Sequence, residues 1–148
     1  MNYELYSDEY FMNEALKEAH AAFDRQEIPV GAVIVTGNRI IARAYNMSET
    51  LNDATAHAEL LAITAASNTL GTKFLTEATL YVTIEPCTMC AGACYWARLK
   101  RIVYGAPDPK AGFTKTSALI IHPTTEIVAG ILAKECKKLI KDFFYLKR

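Results

Sequence analysis

The sequence predicts an α/β fold in which helices cover both faces of a single sheet. Segments with helical periodicity alternate along the chain with short β-prone segments. The 148 residues suit one domain that buries its own core, and a composition of 51% hydrophobic and 22% charged residues is typical of globular proteins. These values exclude a disordered tail, a collagen-like repeat and a disulfide-rich miniprotein. Because the sequence has no evident repeat or linker, we expect residues 1–148 to form one domain.

The first part of the chain contains a predicted helix followed by a predicted hairpin. Apolar residues at helical spacing, with acidic residues at the start that suit the helix dipole, predict a helix over residues 8–26 that Pro29 stops. Two β-prone runs, Val30–Val35 and Arg39–Ala44, flank a turn at residues 36–38. This arrangement is typical of a β-hairpin.

The remaining elements continue the alternation of strands and helices. A polar stretch from Asn46 to Asp53 leads to a predicted helix of about a dozen residues from His57. A strand over Thr79–Ile84 and a helix over Thr88–Ala97 follow. The last elements are a strand over Arg101–Gly105, a loop marked by Pro107, Pro109 and Gly112, a short strand at Glu126–Ala129 and a helix over Ile131–Tyr145. The last helix is amphipathic, with apolar residues on its inner face and lysines outward.

Four cysteines without a targeting segment indicate a reducing compartment. The N-terminus lacks a basic region followed by an apolar run, and no window approaches the roughly 20 apolar residues of a membrane span. We therefore expect a cytoplasmic protein without membrane contact, whose cysteines are metal ligands, catalytic groups or core residues. We expect Cys94 and Cys136 in the core, and His20 and His122 outside any metal site.

Two short motifs carry chemistry. His57 opens one predicted helix, and Cys87 and Cys90 lie three residues apart at the N-terminus of another. Two thiols at that spacing can lean toward one point, and the helix dipole there favours the thiolates that a metal requires. One imidazole and two thiolates are the ligand count of a catalytic zinc site that keeps its fourth position for water. The pattern therefore predicts a catalytic zinc centre.

Glu59 has two possible roles. Side chains two positions apart on a helix point to nearly opposite sides, so His57 and Glu59 can share a site only if it lies off the helix end. A glutamate in a first turn often does no more than complement the helix dipole. Beside a zinc-bound water, however, a carboxylate that is not a ligand serves as the proton carrier. The metal motif favours the second role.

The combined motifs resemble a known family. His-x-Glu followed by Pro-Cys-x-x-Cys is the established signature of zinc-dependent nucleobase deaminases. Beyond it, the chain closely resembles bacterial tRNA-specific adenosine deaminases over nearly its whole length. The matching segments are Ile28–Val33, Thr55–Glu59, Thr79–Ala93, Arg101–Ala106 and the stretch from Gly130 to Phe144.

The resemblance implies a cytidine-deaminase-like three-layer α/β/α sandwich with a central mixed sheet, present as a homodimer. It implies hydrolytic deamination of the wobble adenosine in the tRNA anticodon arm to inosine, with one Zn²⁺ per subunit. By the same resemblance, His57, Cys87 and Cys90 would hold the ion and Glu59 would transfer protons. The positions that it assigns to substrate binding are Asn46, Ala58, Val30, Pro29 and Ile84. From the residues alone, Asn46 is better explained as a turn residue after the hairpin.

Two segments depart from the family pattern and keep other functions open. Residues 106–122 are shorter and different in sequence, and the Cys94–Arg98 segment resembles bacterial guanine deaminases of the same superfamily. Deamination of a free base or nucleoside, of the guanine or cytosine type, is therefore a second hypothesis. A zinc-stabilised interaction module is a third, which Glu59 and the open metal position disfavour.

The net charge of zero conceals two opposite halves. Residues 1–97 carry 5 basic and 12 acidic side chains, whereas residues 98–148 carry 11 basic and 4 acidic ones. A zero total excludes a uniformly basic coat but leaves room for a local phosphate-binding surface. The family resemblance places the loop and the last helix of the basic half near RNA, so the basic residues expected to contact RNA are Lys110, Lys137, Lys138, Lys141, Lys147 and Arg148. The alternative is a solvated helix face that keeps the protein in solution.

Overall fold

The computed structural model describes residues 2–116 and 119–147. The helices are α1 (Asp8–Asp24), α2 (Ala58–Leu70), α3 (Thr88–Ala97) and α4 (Ala133–Leu146), with a short 3-10 turn at Phe113–Lys115. The strands are β1 (Gly31–Thr36), β2 (Arg39–Tyr45), β3 (Thr79–Ile84), β4 (Arg101–Ala106) and β5 (Glu126–Ala129). Within those residues, no helix is both long and apolar enough to cross a membrane.

The five strands form one mixed sheet in the order β2-β1-β3-β4-β5. β1 pairs antiparallel with β2 and β3, whereas β3, β4 and β5 run parallel. The central strands β3 and β4 are buried along almost their whole length, which explains their continuous apolar sequences. This sheet confirms the predicted α/β class with a mixed sheet.

Two helices cover each face of the sheet, which completes the three-layer sandwich. One core lies between the sheet and α1 with α4, and the other lies between the sheet and α2 with α3. Neighbouring residues of β1 serve opposite cores: Val33 faces the first and Ile34 the second. Cys136 belongs to the first core and Cys94 to the second, as the sequence predicts.

Helix α1 approaches the sheet closely at Gly31. A Cβ atom at this position would lie 2.1 Å from the backbone oxygen of Ala15, so the glycine lets α1 lie directly on β1. The hairpin turn at Gly37 and Asn38 has φ values of 55° and 62°, the left-handed pair that a tight two-residue turn requires. The predicted hairpin is therefore confirmed.

Two predicted helix ends are wrong because non-glycine residues take left-handed conformations. α1 ends at Asp24 rather than at residue 26, since Gln26 has a φ of 62° and breaks the helix before Pro29 is reached. α4 begins at Ala133 rather than at Ile131, since Leu132 has a φ of 53°. The backbone turns sharply at both points.

Candidate metal centre and substrate pocket

The metal motifs meet because two helices begin at the same place. His57 and Cys87 are the N-cap residues of α2 and α3, which share one face of the sheet, and both have extended backbones. Neither side chain caps its own helix. The imidazole and the thiol therefore project from the helix ends, next to the carboxyl end of the parallel strand β3. In α/β sheets, that end of the parallel strands is where ligands bind.

The distances between the three ligand side chains fit a zinc ion. His57 Nδ1 lies 3.7 Å from Cys87 Sγ and 3.5 Å from Cys90 Sγ. Nitrogen and sulfur ligands of a tetrahedral zinc lie roughly 3.6 Å apart, from bond lengths of about 2.05 and about 2.3 Å. The ligand atoms of all three residues lie within 4.8 Å of one another. The arrangement suits a zinc ion bound by one imidazole and two thiolates.

The three groups already influence each other's ionisation. Hydrogen bonds from Cys90 and His57 lower the pKa of Cys87 to about 4, and the hydrogen bond to Cys87 raises the pKa of His57. The pKa of Cys90 is raised by its interaction with Cys87. One thiol therefore ionises readily beside the imidazole, and a bound cation would hold both as thiolates.

Glu59 lies beside the ligands in the first turn of α2. Its side chain is 4% exposed, and burial raises the pKa of its carboxyl group to about 7. His57, Ala58 and Glu59 all line the same cavity, so the helix end brings together side chains that a lateral helix face would separate. The carboxylate is thus next to the metal centre without belonging to the ligand cluster.

The cavity has a volume of about 230 Å³, which is smaller than pockets for drug-sized ligands. The residues that line it are Ile28, Val30, Asn46, Ser48, His57, Ala58, Glu59, Ile84, Glu85, Cys87, Asp108 and Ala111. Among the predicted substrate residues, Asn46, Ala58, Val30 and Ile84 are on this wall. Pro29 is buried behind it, because alternate residues of an extended chain face opposite sides and its neighbours take the cavity side.

Asn46 is 6% exposed and is held on both sides of its amide. Its Nδ2 donates to the backbone oxygen of Ile28, and its Oδ1 accepts from the backbone N–H of Ser48. The residue is therefore both a turn residue, as its sequence context suggests, and part of the cavity wall.

Two buried glutamates beside the cavity were missed by the sequence analysis. Glu27 and Glu85 are 0% and 4% exposed, and each accepts hydrogen bonds from a loop that lines the cavity. A signal was present only for Glu85, which directly follows the largely apolar strand β3 and precedes Pro86, whereas Glu27 follows the polar residues 24–26. Their hydrogen-bond partners are distant in sequence, so no local motif reveals them.

The predicted RNA-contacting lysines occupy different surfaces. Exposed Lys110 lies in the loop between Asp108 and Ala111, at the cavity rim. Lys147 lines a groove that shares Ile28 with the cavity. The other members of this groove are Arg25, Gln26, Ser48, Glu49, Thr50, Phe143 and Phe144.

The other members of the basic cluster are exposed along α4. Lys138 forms a 2.6 Å ion pair with Asp142 and lines a separate groove between α1 and α4. Lys137 and Lys141 are exposed, and Arg148 lies outside the described residues. The basic cluster of the sequence is therefore divided between at least two surfaces.

Comparison with known proteins shows which family has the same zinc-binding motifs. The family model for the cytidine and deoxycytidylate deaminase zinc-binding region matches residues 5–106. The chain is 46% identical to the tRNA-specific adenosine deaminase of Bacillus subtilis (strain 168) over 142 residues, which covers 93% of this chain and 88% of that protein.

Two solved structures share the fold at substantial identity. One, from a study of A-to-I editing by tRNA:A34 deaminases at the wobble position of transfer RNA, has a TM-score of 0.83 and 44% identity, and covers 88% of this chain and 98% of that one. The guanine deaminase of Bacillus subtilis has a TM-score of 0.64 and 43% identity, over 72% of this chain and 66% of that one. The match to the tRNA deaminase is thus the more complete.

Proposed function

The chain belongs to the zinc-binding cytidine and deoxycytidylate deaminase family, and we propose that it hydrolyses adenosine to inosine at the wobble position of tRNA. The main support for this substrate is the 46% identity to a tRNA-specific adenosine deaminase across nearly the full length of both chains. We further propose that residues 1–148 act as one deaminase domain in the cytoplasm, where such a substrate is available.

The reaction needs a nucleophile, a proton carrier and a pocket for one base. When bound at His57, Cys87 and Cys90, Zn²⁺ supplies a water of lowered pKa. Glu59 accepts a proton from the attacking water as the new bond forms at C6 of adenine. The same carboxyl group delivers this proton to the adjacent ring nitrogen, and then carries the second proton of the water, from the new hydroxyl group on C6, to the departing amine. Water is consumed and ammonia is released, so the atoms balance without another reactant.

The cavity wall supplies the groups that would hold the base. Asn46 presents an amide whose orientation is set by Ile28 and Ser48, so it can pair with a base edge at little cost in side-chain entropy. The Ala58 N–H lies at the start of α2, where backbone donors have no intrahelical partner. Val30 and Ile84 add apolar surface for the ring. These contacts require a base that is extruded from its stack.

RNA contacts would begin at the rim of the cavity. Lys110 stands beside it, and the groove lined by Lys147 continues from it past Ile28. We assign phosphate contacts to these two lysines first. Lys138, paired with Asp142 in another groove, fits a solvated helix face better.

A second copy of the chain is the partner that we propose for the outer face of α2 and α3. This face exposes Trp96 to 75% of its full area, with Leu70, Met89 and Tyr95 also exposed. Large exposed apolar side chains on neighbouring helices are typical of interaction surfaces. Sedimentation equilibrium should give twice the chain mass, and Trp96→Glu should give the single mass; a wild-type protein of single mass would contradict the homodimer.

Deamination of a free base is the competing function, since the guanine deaminase of Bacillus subtilis is 43% identical over 72% of this chain. An assay that offers an anticodon stem-loop with a wobble adenosine beside free guanine, cytosine and adenosine separates the two. Inosine in the RNA supports our proposal. Turnover of a free base with the RNA unchanged would refute our proposal and support deamination of a free base.

A further inference from the structure

We propose that Glu27 and Glu85 are a matched pair of positioning residues, each of which holds one wall of the base pocket in place. The inference rests on the proposed deaminase function, because it concerns how that pocket receives its base. Neither residue is assigned a role by the zinc chemistry. What points to them is the same set of contacts to two different loops that line the cavity.

Glu85 holds the wall that contains Asp108 and Ala111. Its Oε1 accepts the backbone N–H of Asp108 at 3.0 Å, and its Oε2 accepts the backbone N–H of Thr114 at 2.9 Å and the hydroxyl of Thr114 at 2.7 Å. The backbone of Gly112 lies directly on this carboxylate, since a Cβ there would be 2.1 Å from Oε2. The loop is therefore built around the Glu85 side chain.

Glu27 holds the wall that contains Asn46 and Ser48. Its Oε1 accepts the backbone N–H of Glu49 at 3.0 Å, and its Oε2 accepts both the backbone N–H and the hydroxyl of Thr50 at 2.6 Å. The pattern repeats that of Glu85: two backbone N–H groups and one threonine hydroxyl, with each oxygen bound to one backbone N–H.

Because both carboxylates are buried, these hydrogen bonds are strong and their loss is costly. A carboxylate out of contact with water is costly unless donors satisfy it, and charge-assisted hydrogen bonds are about twice as strong as neutral ones. Glu27 is next to Ile28, which lines the cavity, and Glu85 lines the cavity together with its neighbour Ile84. A shift of either loop would therefore move one wall relative to the rest of the pocket.

Glutamine variants disrupt the hydrogen bonds of these two carboxylates while keeping a side chain of nearly the same size. Both oxygens of each carboxylate accept a backbone N–H, so either orientation of a glutamine amide places its NH₂ against a donor. Glu27→Gln and Glu85→Gln each lose at least one charge-assisted bond. Thr50→Val and Thr114→Val remove the hydroxyl donors alone, at exposed positions where the fold is not at risk. Matched variants therefore exist for both walls.

The test is steady-state kinetics with the anticodon stem-loop, with rates expressed per bound zinc. We expect KM to rise roughly tenfold in the glutamine variants and roughly threefold in the valine variants, with kcat per zinc changed by less than about threefold. Asp8→Asn is the control, because Asp8 pairs with Arg101 at the start of β4, at the opposite end of the sheet. It should lower stability and leave KM unchanged.

A purely structural role gives a different result. The amount of zinc-loaded enzyme would fall while KM stayed within twofold of wild type, and that outcome overturns the inference. If the glutamine variants fail to fold, the valine variants decide by the same criterion. A wild-type enzyme that deaminates a free base and not the RNA refutes the proposed function instead, and the same KM ratios are then measured with that base.

Discussion

Replacement of Glu59 by glutamine tests whether this residue carries protons or merely complements a helix dipole. The amide has nearly the same size, so we expect the neighbouring zinc ligands to stay in place. Positioned acid–base groups contribute about 10²- to 10⁴-fold to rates, or about 3–5 kcal/mol of activation free energy. Glu59 is 4% exposed, so bulk water is poorly placed to substitute for it. We therefore expect the upper part of that range.

Glu9 provides a control with matched helix geometry. It is the second residue of α1, as Glu59 is the second residue of α2, but it is exposed and remote from the zinc ligands. Glu9→Gln should lose about 0.3–1 kcal/mol of dipole stabilisation and no activity. Glu59→Gln should lose activity at full zinc content, without a lower melting temperature, because burial already disfavours the charged form.

The assay is the initial rate of inosine formation per zinc, with zinc measured by atomic emission on the same samples. A Glu59→Gln enzyme within tenfold of wild type at full zinc content would refute the role of Glu59. A loss of zinc in parallel with activity would show that the carboxylate supports the metal instead.

Three further predictions concern stability and RNA binding. Asp8→Asn should destabilise the protein by about 1–2 kcal/mol at pH 7, because Asp8 accepts two hydrogen bonds from Arg101 and one from Tyr81. The hydrogen bond from Arg101 lowers the pKa of Asp8, so this stabilisation is complete above the ordinary aspartate pKa and is lost as the pH falls below it. Urea unfolding should therefore show a smaller difference in stability between variant and wild type at pH 3 than at pH 7. An equal difference at both pH values would contradict the ion pair. Gly31→Ala should cost about 1–3 kcal/mol by forcing α1 away from β1, and an unchanged urea midpoint would disprove that close contact. Lys147→Ala should reduce the slope of log affinity against log salt by about 1 for the anticodon stem-loop; Lys138→Ala is its control, and equal effects of the two would show that both grooves bind RNA.

The type and order of the elements were predictable because each follows from local pattern. The continuous apolar runs of β3 and β4 and the amphipathic spacing of α4 appear directly in the sequence. The ends of α1 and α4 were not predictable, because Gln26 and Leu132 adopt left-handed conformations that their side chains do not favour. Only the surrounding packing imposes such turns.

The candidate site also contains residues that local motifs predict and residues that only the fold brings together. The zinc ligands and Glu59 lie in short motifs whose spacing already limits their geometry. Glu27 and Glu85 depend on loops that the fold brings to them, and no local pattern reports those partners. The C-terminal lysines were predicted as one cluster, yet Lys138 on α4 and Lys147 just after its end line different grooves. Which groove a helical residue faces is decided by the packing of the whole helix.

The most direct test of the central claim is the product of a single reaction. Purified, zinc-loaded enzyme is incubated with an anticodon stem-loop that carries a wobble adenosine, together with free guanine, cytosine and adenosine, and nucleosides are quantified by mass spectrometry. We predict inosine at the wobble position, absent with Glu59→Gln, while the free bases and the nucleoside persist. Xanthine, uracil or free inosine beside unmodified RNA would contradict the account.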